Sequence, residues 1–320
     1  MQTENLQFAN WKARCSSLGK LLTNLPTEEE AIKIANEIKE LTNERDYGVN
    51  ANGNKVKWTE NKDNRLALLL EKQNKGEELP PGAITYLEEV FRSHFWKRKR
   101  FLENKYLTKG TVCEEDALEL VSIRDDGFYY RKNDEHLNND YIQGTPDNLQ
   151  VIIKDTKTSW DMESFEKAEL ITLYEWQLKG YMWIAHSYDF PELETKTEAE
   201  LDYCLVNAPL HLLQDEKRRM WLNLGQPEED DEDFIEKMMQ LERNMIFDTA
   251  KFKKEYPNYD FYSPILDFSI PPHMRLKSFK VNLTEDDIKH MTRRVKMARE
   301  WLIKKEKETY KLLDNEWQTN

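Results

Sequence analysis

The segment that most constrains the fold runs from residue 144 to residue 181. Within it, residues 151–153 are consecutive β-branched residues that follow a turn-prone Pro-Asp-Asn sequence, a pattern that predicts a β-strand. Side chains alternate between the two faces of a strand, so we expect Asp155 and Lys157 to project from one face and Thr156 from the other. The sequence therefore predicts a sheet with an acid–base pair on one strand.

A second carboxylate precedes this strand. Asp147 ends the segment 140–147, only a short hairpin away from Asp155, and the two carboxylates can converge with the ammonium of Lys157. Divalent cations such as Mg²⁺ take oxygen ligands, usually one or two carboxylates with waters and substrate phosphate. A nearby lysine can stabilise charge that develops on a phosphate. Taken singly, an aspartate after proline is usually a turn residue, so the pattern depends on the combination.

The strand is followed by a helix predicted over about 165–186, which places Gln177 and Tyr181 on one face. Asp147, then Asp-Thr-Lys-Thr at 155–158, then Gln-x-x-x-Tyr resembles the PD-(D/E)XK nuclease superfamily, and most closely its RecB and lambda-exonuclease branches. The resemblance implies an α/β (α+β) fold, with a central mixed β-sheet flanked by helices, additional N-terminal helices and a helical insertion.

An upstream acidic residue belongs to the same resemblance. The pattern Gly110-x-x-x-Glu114-x-x-Ala117 is similar to the helix that carries the first acidic residue of lambda-type exonucleases, and Glu114 is the position that matches. Its neighbour Glu115 could be confused with it. An acidic first helical turn is also favoured by the helix macrodipole alone, so the downstream motifs decide in favour of the functional interpretation.

The resemblance implies a chemistry and a set of roles. Glu114, Asp147 and Asp155 would hold Mg²⁺ or Mn²⁺, with the main-chain carbonyl of Thr156 completing the metal shell. Lys157 would position the attacking water or bind the transition-state phosphate. Gln177 would orient the site, and Tyr181 would support its helix or contact DNA.

The implied activity is that of a divalent-metal-dependent hydrolase, a DNA exonuclease that degrades one strand of duplex DNA from an end in phage-type recombination or DNA processing. Such enzymes work beside a single-strand annealing protein, and some assemble into homo-oligomeric rings. Two rivals stay open: a RecB- or Cas4-like nuclease or endonuclease subunit, and a non-catalytic acidic interaction protein on a nuclease fold. A Cas4-like enzyme usually needs cluster-binding cysteines, and Cys15, Cys113 and Cys204 form no such motif.

Contact with DNA must be local, because the chain carries 47 Lys and Arg against 60 Asp and Glu, a net charge of −13. Arg14, with Ser16 or Ser17, is similar to the family's early arginine and hydroxyl residues, which contact the terminal phosphate; a plain surface helix over 11–22 is the alternative. A basic cluster stands before the Glu114 helix and comprises Lys97, Arg98, Lys99 and Arg100.

We divide the chain into an N-terminal helical region, 1–109, and a nuclease core, 110–320, with an insertion at about 208–265. Mean hydropathy is −0.85, no apolar run spans a membrane, and the first residues lack a secretory pattern. The expected location is therefore the cytoplasm, that of the host if a phage encodes the chain.

Further elements follow from periodicity and capping signals. Expected helices cover 27–41, where Thr27 opens a capping box, then 60–74, 81–95, 110–121 and a long helix capped by Thr284. Expected strands, besides those above, cover 127–131, 201–207 and 274–282.

Overall fold

Seven strands form two sheets in the part of the chain that the structure, a computed structural model, describes: residues 6–23, 28–50, 52–74, 78–100, 104–265 and 267–316. The strands are β1 (Ala13–Arg14), β2 (Leu137–Asn138), β3 (Ile142–Gly144), β4 (Asn148–Gln150), β5 (Ile152–Thr158), β6 (Glu198–Cys204) and β7 (Leu276–Asn282). The larger sheet has the order β4-β5-β6-β7, with β5 and β6 parallel and the outer pairs antiparallel. The smaller sheet has the order β1-β3-β2.

Twelve α-helices surround these sheets within the described residues. They are α1 (Leu18–Leu21), α2 (Glu28–Tyr47), α3 (Glu60–Asn74), α4 (Pro81–His94), α5 (Lys105–Val112), α6 (Glu114–Arg124), α7 (Met162–Glu166), α8 (Thr172–Ala185), α9 (Leu210–Asn223), α10 (Glu232–Met245), α11 (Thr249–Glu255) and α12 (Glu285–Glu316). Short 3₁₀ turns cover Cys15–Ser17 and Pro272–Met274. The predicted class, a mixed sheet flanked by helices, is confirmed. None of the described helices combines the length and apolar character needed to cross a bilayer.

The two faces of the larger sheet pack against different helices. On one face, Ile153 of β5 and Leu201 of β6 are fully buried in a core with Leu178 and Met182 of α8. The other face packs against α6 in a smaller core. Asp155 and Lys157 alternate in phase with Ile153. They therefore lie on the α8 side of the sheet.

The long terminal helix begins where Thr284 predicts it. The N–H of Asp287 donates to Thr284 Oγ1 (3.2 Å), and the N–H of Thr284 donates back to Asp287 Oδ2 (2.9 Å), a reciprocal cap. The buried residues of α12 recur every three or four positions and pack into the main core; they are Met291, Val295, Ala298 and Leu302. The predicted amphipathic helix is thus present.

Two predicted elements were wrong. Residues 127–131 form no strand, because Asp126 (φ 55°) and Gly127 (φ 80°) turn the chain and the N–H of Tyr130 then donates to the Ser122 hydroxyl (3.2 Å). The helix predicted over 165–186 is two helices, α7 and α8. Lys277 Nζ bonds the carbonyl oxygens at the end of α7, at 2.8 Å from that of Glu166, which helps to end the helix there.

Other predictions need smaller corrections. The helix predicted over 11–22 is instead the short strand β1, a 3₁₀ turn and the single helical turn α1. The helix predicted to end near residue 41 continues to Tyr47, and its predicted cap, Thr27, lies outside the described residues. The insertion at 208–265 holds three helices, α9 to α11, where two were expected.

Candidate active site

The candidate site is a cleft of about 550 Å³ lined by residues of α5, α6, α8 and β5. Its walls include every residue of the predicted catalytic and metal-binding sets: Glu114, Asp147, Asp155, Thr156, Lys157 and Gln177. These residues are spread over more than sixty positions of sequence, and the fold brings them into one depression.

Asp155 is the most deeply buried carboxylate of the cleft, with only 1% of its surface exposed. Its Oδ1 accepts a hydrogen bond from Gln177 Nε2 (3.0 Å), and its Oδ2 forms an ion pair with Lys157 Nζ. Gln177 also donates to the hydroxyl of Tyr181 (2.9 Å). The glutamine of α8 therefore fixes the orientation of Asp155 from behind.

Asp147 is fixed by the strand next to it. The β4–β5 ladder ends where Asn148 pairs with Lys154, and Asp147 then extends its side chain to Thr156. Asp147 Oδ2 accepts from the Thr156 N–H (2.7 Å) and from the Thr156 hydroxyl (3.1 Å). The side chain thus takes the place of a strand partner, which holds Asp147 beside Asp155.

The site concentrates negative charge. Burial, followed by the nearby carboxylate of Asp155, raises the pKa of Asp147 to about 7, against the opposing effect of Lys157. A bound divalent cation would favour the ionised form of both aspartates. This electrostatic situation fits a metal site built from oxygen donors.

Lys157 is the cation of the site. Burial disfavours its charged form, but the carboxylates of Asp155 and Asp147 outweigh burial and raise the pKa of the ammonium. Its Nζ also lies 5.1 Å from the centre of the Tyr174 ring. A lysine kept protonated in this way can stabilise negative charge on a phosphate but does not accept a proton at neutral pH.

Glu114 and Glu115 face different surroundings. Glu114, the first residue of α6, lines the cleft, and its Oε2 forms an ion pair with Lys132 Nζ (2.6 Å). Glu115 lines a separate depression beside Tyr129. In the described part of the chain, no three metal-binding side chains are clustered as a preformed site. Glu114 would therefore need to turn from Lys132 toward the aspartates to join a metal shell.

Tyr181 lies in the core and not at the cleft surface. Only 4% of its surface is exposed, and its ring packs so closely on Gly144 that an added Cβ there would lie 2.7 Å from Tyr181 Cε1. This position is compatible with support of Gln177. It contradicts the predicted contact between Tyr181 and DNA, because a buried ring cannot reach a nucleic acid.

The predicted DNA-contact residues lie on the surface outside this cleft. Arg14 and Ser16 are exposed, Ser17 is half-buried, and all four residues of the basic cluster at 97–100 are exposed. Burial, with the nearby charges of Lys97 and Arg14, lowers the pKa of His94. These two basic groups thus lie around the end of α4. Arg14 lies on β1, which pairs with β3, and β3 ends three residues before Asp147. The smaller sheet therefore connects Arg14 to the segment that carries Asp147.

Sequence reasoning missed three kinds of residue at the site. One is Lys132, which holds Glu114 but lies in a polar loop with no motif. The second is a pair of aromatic side chains in the wall, Tyr106 and Trp160, which come from two distant segments. The third is Lys109, a lysine with 1% exposure whose burial the sequence does not signal.

Comparison with known proteins identifies the fold. A phage-related exonuclease from Haemophilus somnus 129PT superposes with a TM-score of 0.55 and 19% sequence identity, over 94% of this chain and 97% of that chain. The alkaline exonuclease LHK-Exo from Laribacter hongkongensis is also similar, with a TM-score of 0.44 and 10% identity over 75% of this chain and 89% of its own. The complex of LHK-Exo with dAMP superposes with a TM-score of 0.47 and 9% sequence identity, over 95% of this chain and 94% of that chain.

No protein-family model matches the chain, and no curated protein matches its sequence. At 19% identity the first superposition shows a shared fold over nearly the whole of both chains. It confirms the fold expected from the resemblance, and the activity must be argued from the site.

Proposed function

We propose that this chain is a divalent-metal-dependent DNA exonuclease that hydrolyses phosphodiester bonds from duplex ends. The observation that carries the proposal is the convergence of Asp147, Asp155 and Lys157 in one cleft, with Gln177 bonded to Asp155 from behind. The fold shared with a phage-related exonuclease supports the same reading. Two carboxylates held this close repel each other and lower stability, which a purely structural role would not require.

The side chains of the cleft can be assigned separate roles in metal binding and phosphate activation. Asp147, Asp155, Glu114 and the Thr156 carbonyl would hold Mg²⁺ or Mn²⁺, and the bound ion would supply Lewis-acid polarisation of the scissile phosphate and a lower pKa for an attacking water. Thr156 and Gln177 fix the two aspartates before substrate arrives, so the ligands need little reorganisation.

Lys157 supplies a positive charge at the reacting phosphate. Because its ammonium remains protonated beside two carboxylates, we assign it to orientation of the phosphate and stabilisation of the transition state. The ammonium is a compact charge on a flexible side chain, so it can keep its hydrogen bonds to the phosphate oxygens as the phosphate changes geometry during the reaction.

Because the chain is acidic overall, we expect DNA to contact only a few basic patches of its surface. We propose that Arg14, Ser16 and Ser17 bind the terminal phosphate and that the basic cluster at 97–100 holds the duplex nearby. A recombination role in a phage, a single-strand annealing partner, a homo-oligomeric ring and a cytoplasmic location belong to this proposal through the family resemblance.

The test is cleavage of linear and covalently closed circular duplex DNA of the same sequence. With Mg²⁺ or Mn²⁺ the protein should release nucleotides from linear DNA and leave the closed circle intact, and EDTA should stop the release. Rapid linearisation of the circle would favour an endonuclease instead. Persistence of both substrates with either metal would favour the non-catalytic alternative.

A further inference from the structure

One part of the cleft wall is aromatic and has no part in the proposed chemistry. Tyr106 of α5 and Trp160, which follows β5, meet edge to face with ring centres 5.1 Å apart. Both line the cleft that contains Asp155 and Lys157. Tyr106 is 54% exposed, so its ring is open to a ligand in the cleft. We call these two side chains the aromatic wall.

The backbone beneath each ring is fixed. Lys109 Nζ donates to the main-chain carbonyls of Ser159 (2.8 Å) and Trp160 (3.0 Å) from a position that is 1% exposed. The N–H of Tyr106 donates to the Asn104 side chain (2.9 Å), which caps the start of α5. A buried lysine and a helix cap therefore hold the aromatic wall, which lowers the entropy cost of binding a flat ligand.

A positive charge adjoins both rings. Lys105 Nζ lies 4.7 Å from the centre of the Trp160 ring and 5.3 Å from that of Tyr106, within the range of cation–π attraction. The same ammonium forms an ion pair with Glu216 of α9 (3.0 Å). Trp160 also packs against the apolar core of the helical insertion, so the two rings lie where the nuclease core meets that insertion.

We propose that the aromatic wall is a nucleobase-stacking subsite, which binds a base of the strand whose phosphate lies at Asp155 and Lys157. This inference rests on the proposed nuclease function. Nucleobases present flat π-faces, and stacking on aromatic side chains is tolerant of sequence because every base has such a face. A subsite of this kind suits an enzyme that must advance through any sequence. The subsite also explains the buried Lys109, because its hydrogen bonds to the backbone position Trp160.

The test is a binding assay in EDTA at low ionic strength, so that no cleavage occurs. The probe is a short single-stranded oligonucleotide containing 2-aminopurine, whose fluorescence falls when the base stacks. A second oligonucleotide carries abasic residues at the same positions, and its binding is detected through a dye attached to one end. Tyr106→Ala removes the exposed ring, Tyr106→Phe restores it, and Tyr129→Ala is the matched control, a 77% exposed tyrosine in a different depression.

Wild-type protein should quench 2-aminopurine and bind the abasic oligonucleotide about tenfold more weakly than the normal one. Tyr106→Ala should bind both about equally and lose the quenching, whereas Tyr106→Phe and Tyr129→Ala should behave as wild type. Equal binding of both probes by wild-type protein, absence of binding, or an equal loss in Tyr129→Ala would overturn the proposal. A wild-type protein that stacks bases but cuts no DNA would refute only the proposed hydrolysis.

Discussion

Asp147→Asn should make the metal-free protein more stable while removing its activity. Burial and the carboxylate of Asp155 raise the pKa of Asp147 from 3.8 to about 7, so ionisation of this carboxyl destabilises the folded state, increasingly as pH rises from about 4 to about 7. An asparagine is neutral at every pH and can keep an acceptor oxygen for the N–H and hydroxyl of Thr156. The substitution therefore removes the charge and preserves the hydrogen bonds.

The sign and size follow from proton linkage. Between about pH 4 and pH 7 the folded protein binds more protons at Asp147 than the unfolded chain, so the wild-type free energy of unfolding falls as pH rises. A shift of about three pKa units has an upper limit of about 4 kcal/mol, because one unit corresponds to about 1.4 kcal/mol. Partial exposure and relaxation reduce this limit, and we expect about 1–2 kcal/mol at pH 8.

The assay is urea unfolding in EDTA at pH 8 and pH 5. Asp147→Asn should be more stable than wild type at pH 8, and its advantage should fall to less than about half at pH 5, because most of the linked loss of wild-type stability occurs between pH 5 and pH 7. Asp189→Asn, at an exposed position outside the cleft, is the control and should change neither value. An Asp147→Asn protein that is equal to or less stable than wild type at pH 8 would refute the electrostatic argument.

Three further predictions concern activity. Lys157→Ala should lower the rate of cleavage by about 10²-fold or more with little change in DNA binding, since it removes charge stabilisation in the transition state, and a wild-type rate would reject that role. Glu114→Gln should abolish cleavage in a nuclease assay whereas Glu115→Gln should be mild, and the reverse ranking would show that the wrong glutamate was chosen. Arg14→Ala should slow cleavage of 5′-phosphorylated ends more than of unphosphorylated ends, and an equal loss on both would remove the terminal-phosphate role.

The motif residues could be anticipated because their placement depends on local geometry. Strand alternation alone put Asp155 and Lys157 on one face, and a four-residue helical spacing put Gln177 and Tyr181 on one side of α8. A helix cap with a clear signature, at Thr284, was also predictable. These rules act within one element, so a single sequence contains the information.

Interactions between distant segments were not predictable. Lys277 of β7 bonds the last carbonyls of α7 and helps to separate two helices that periodicity joined into one. Tyr130 lies in an apparent strand sequence, yet it packs under α6 in a core with Cys204 and Val206, which lie far along the chain. In each case a tertiary contact overrides local propensity.

The same reason explains the residues missed at the site. Lys132 reaches Glu114 from a loop, and Lys109 reaches the carbonyl of Trp160 across about fifty residues. Single lysines carry no spacing signal, because a lysine at the surface and a buried one look alike in sequence. Only the fold shows which of them hold the walls of the cleft.

The most direct test of the account is a measurement of Mn²⁺ binding to the wild-type protein and to Asp155→Asn by electron paramagnetic resonance, without DNA. Wild-type protein should bind Mn²⁺, and Asp155→Asn should lose most of this binding while it remains folded by circular dichroism. The control, Glu115→Gln, should bind as wild type. Equal Mn²⁺ binding by wild type and Asp155→Asn would contradict the assignment of the metal to this cleft.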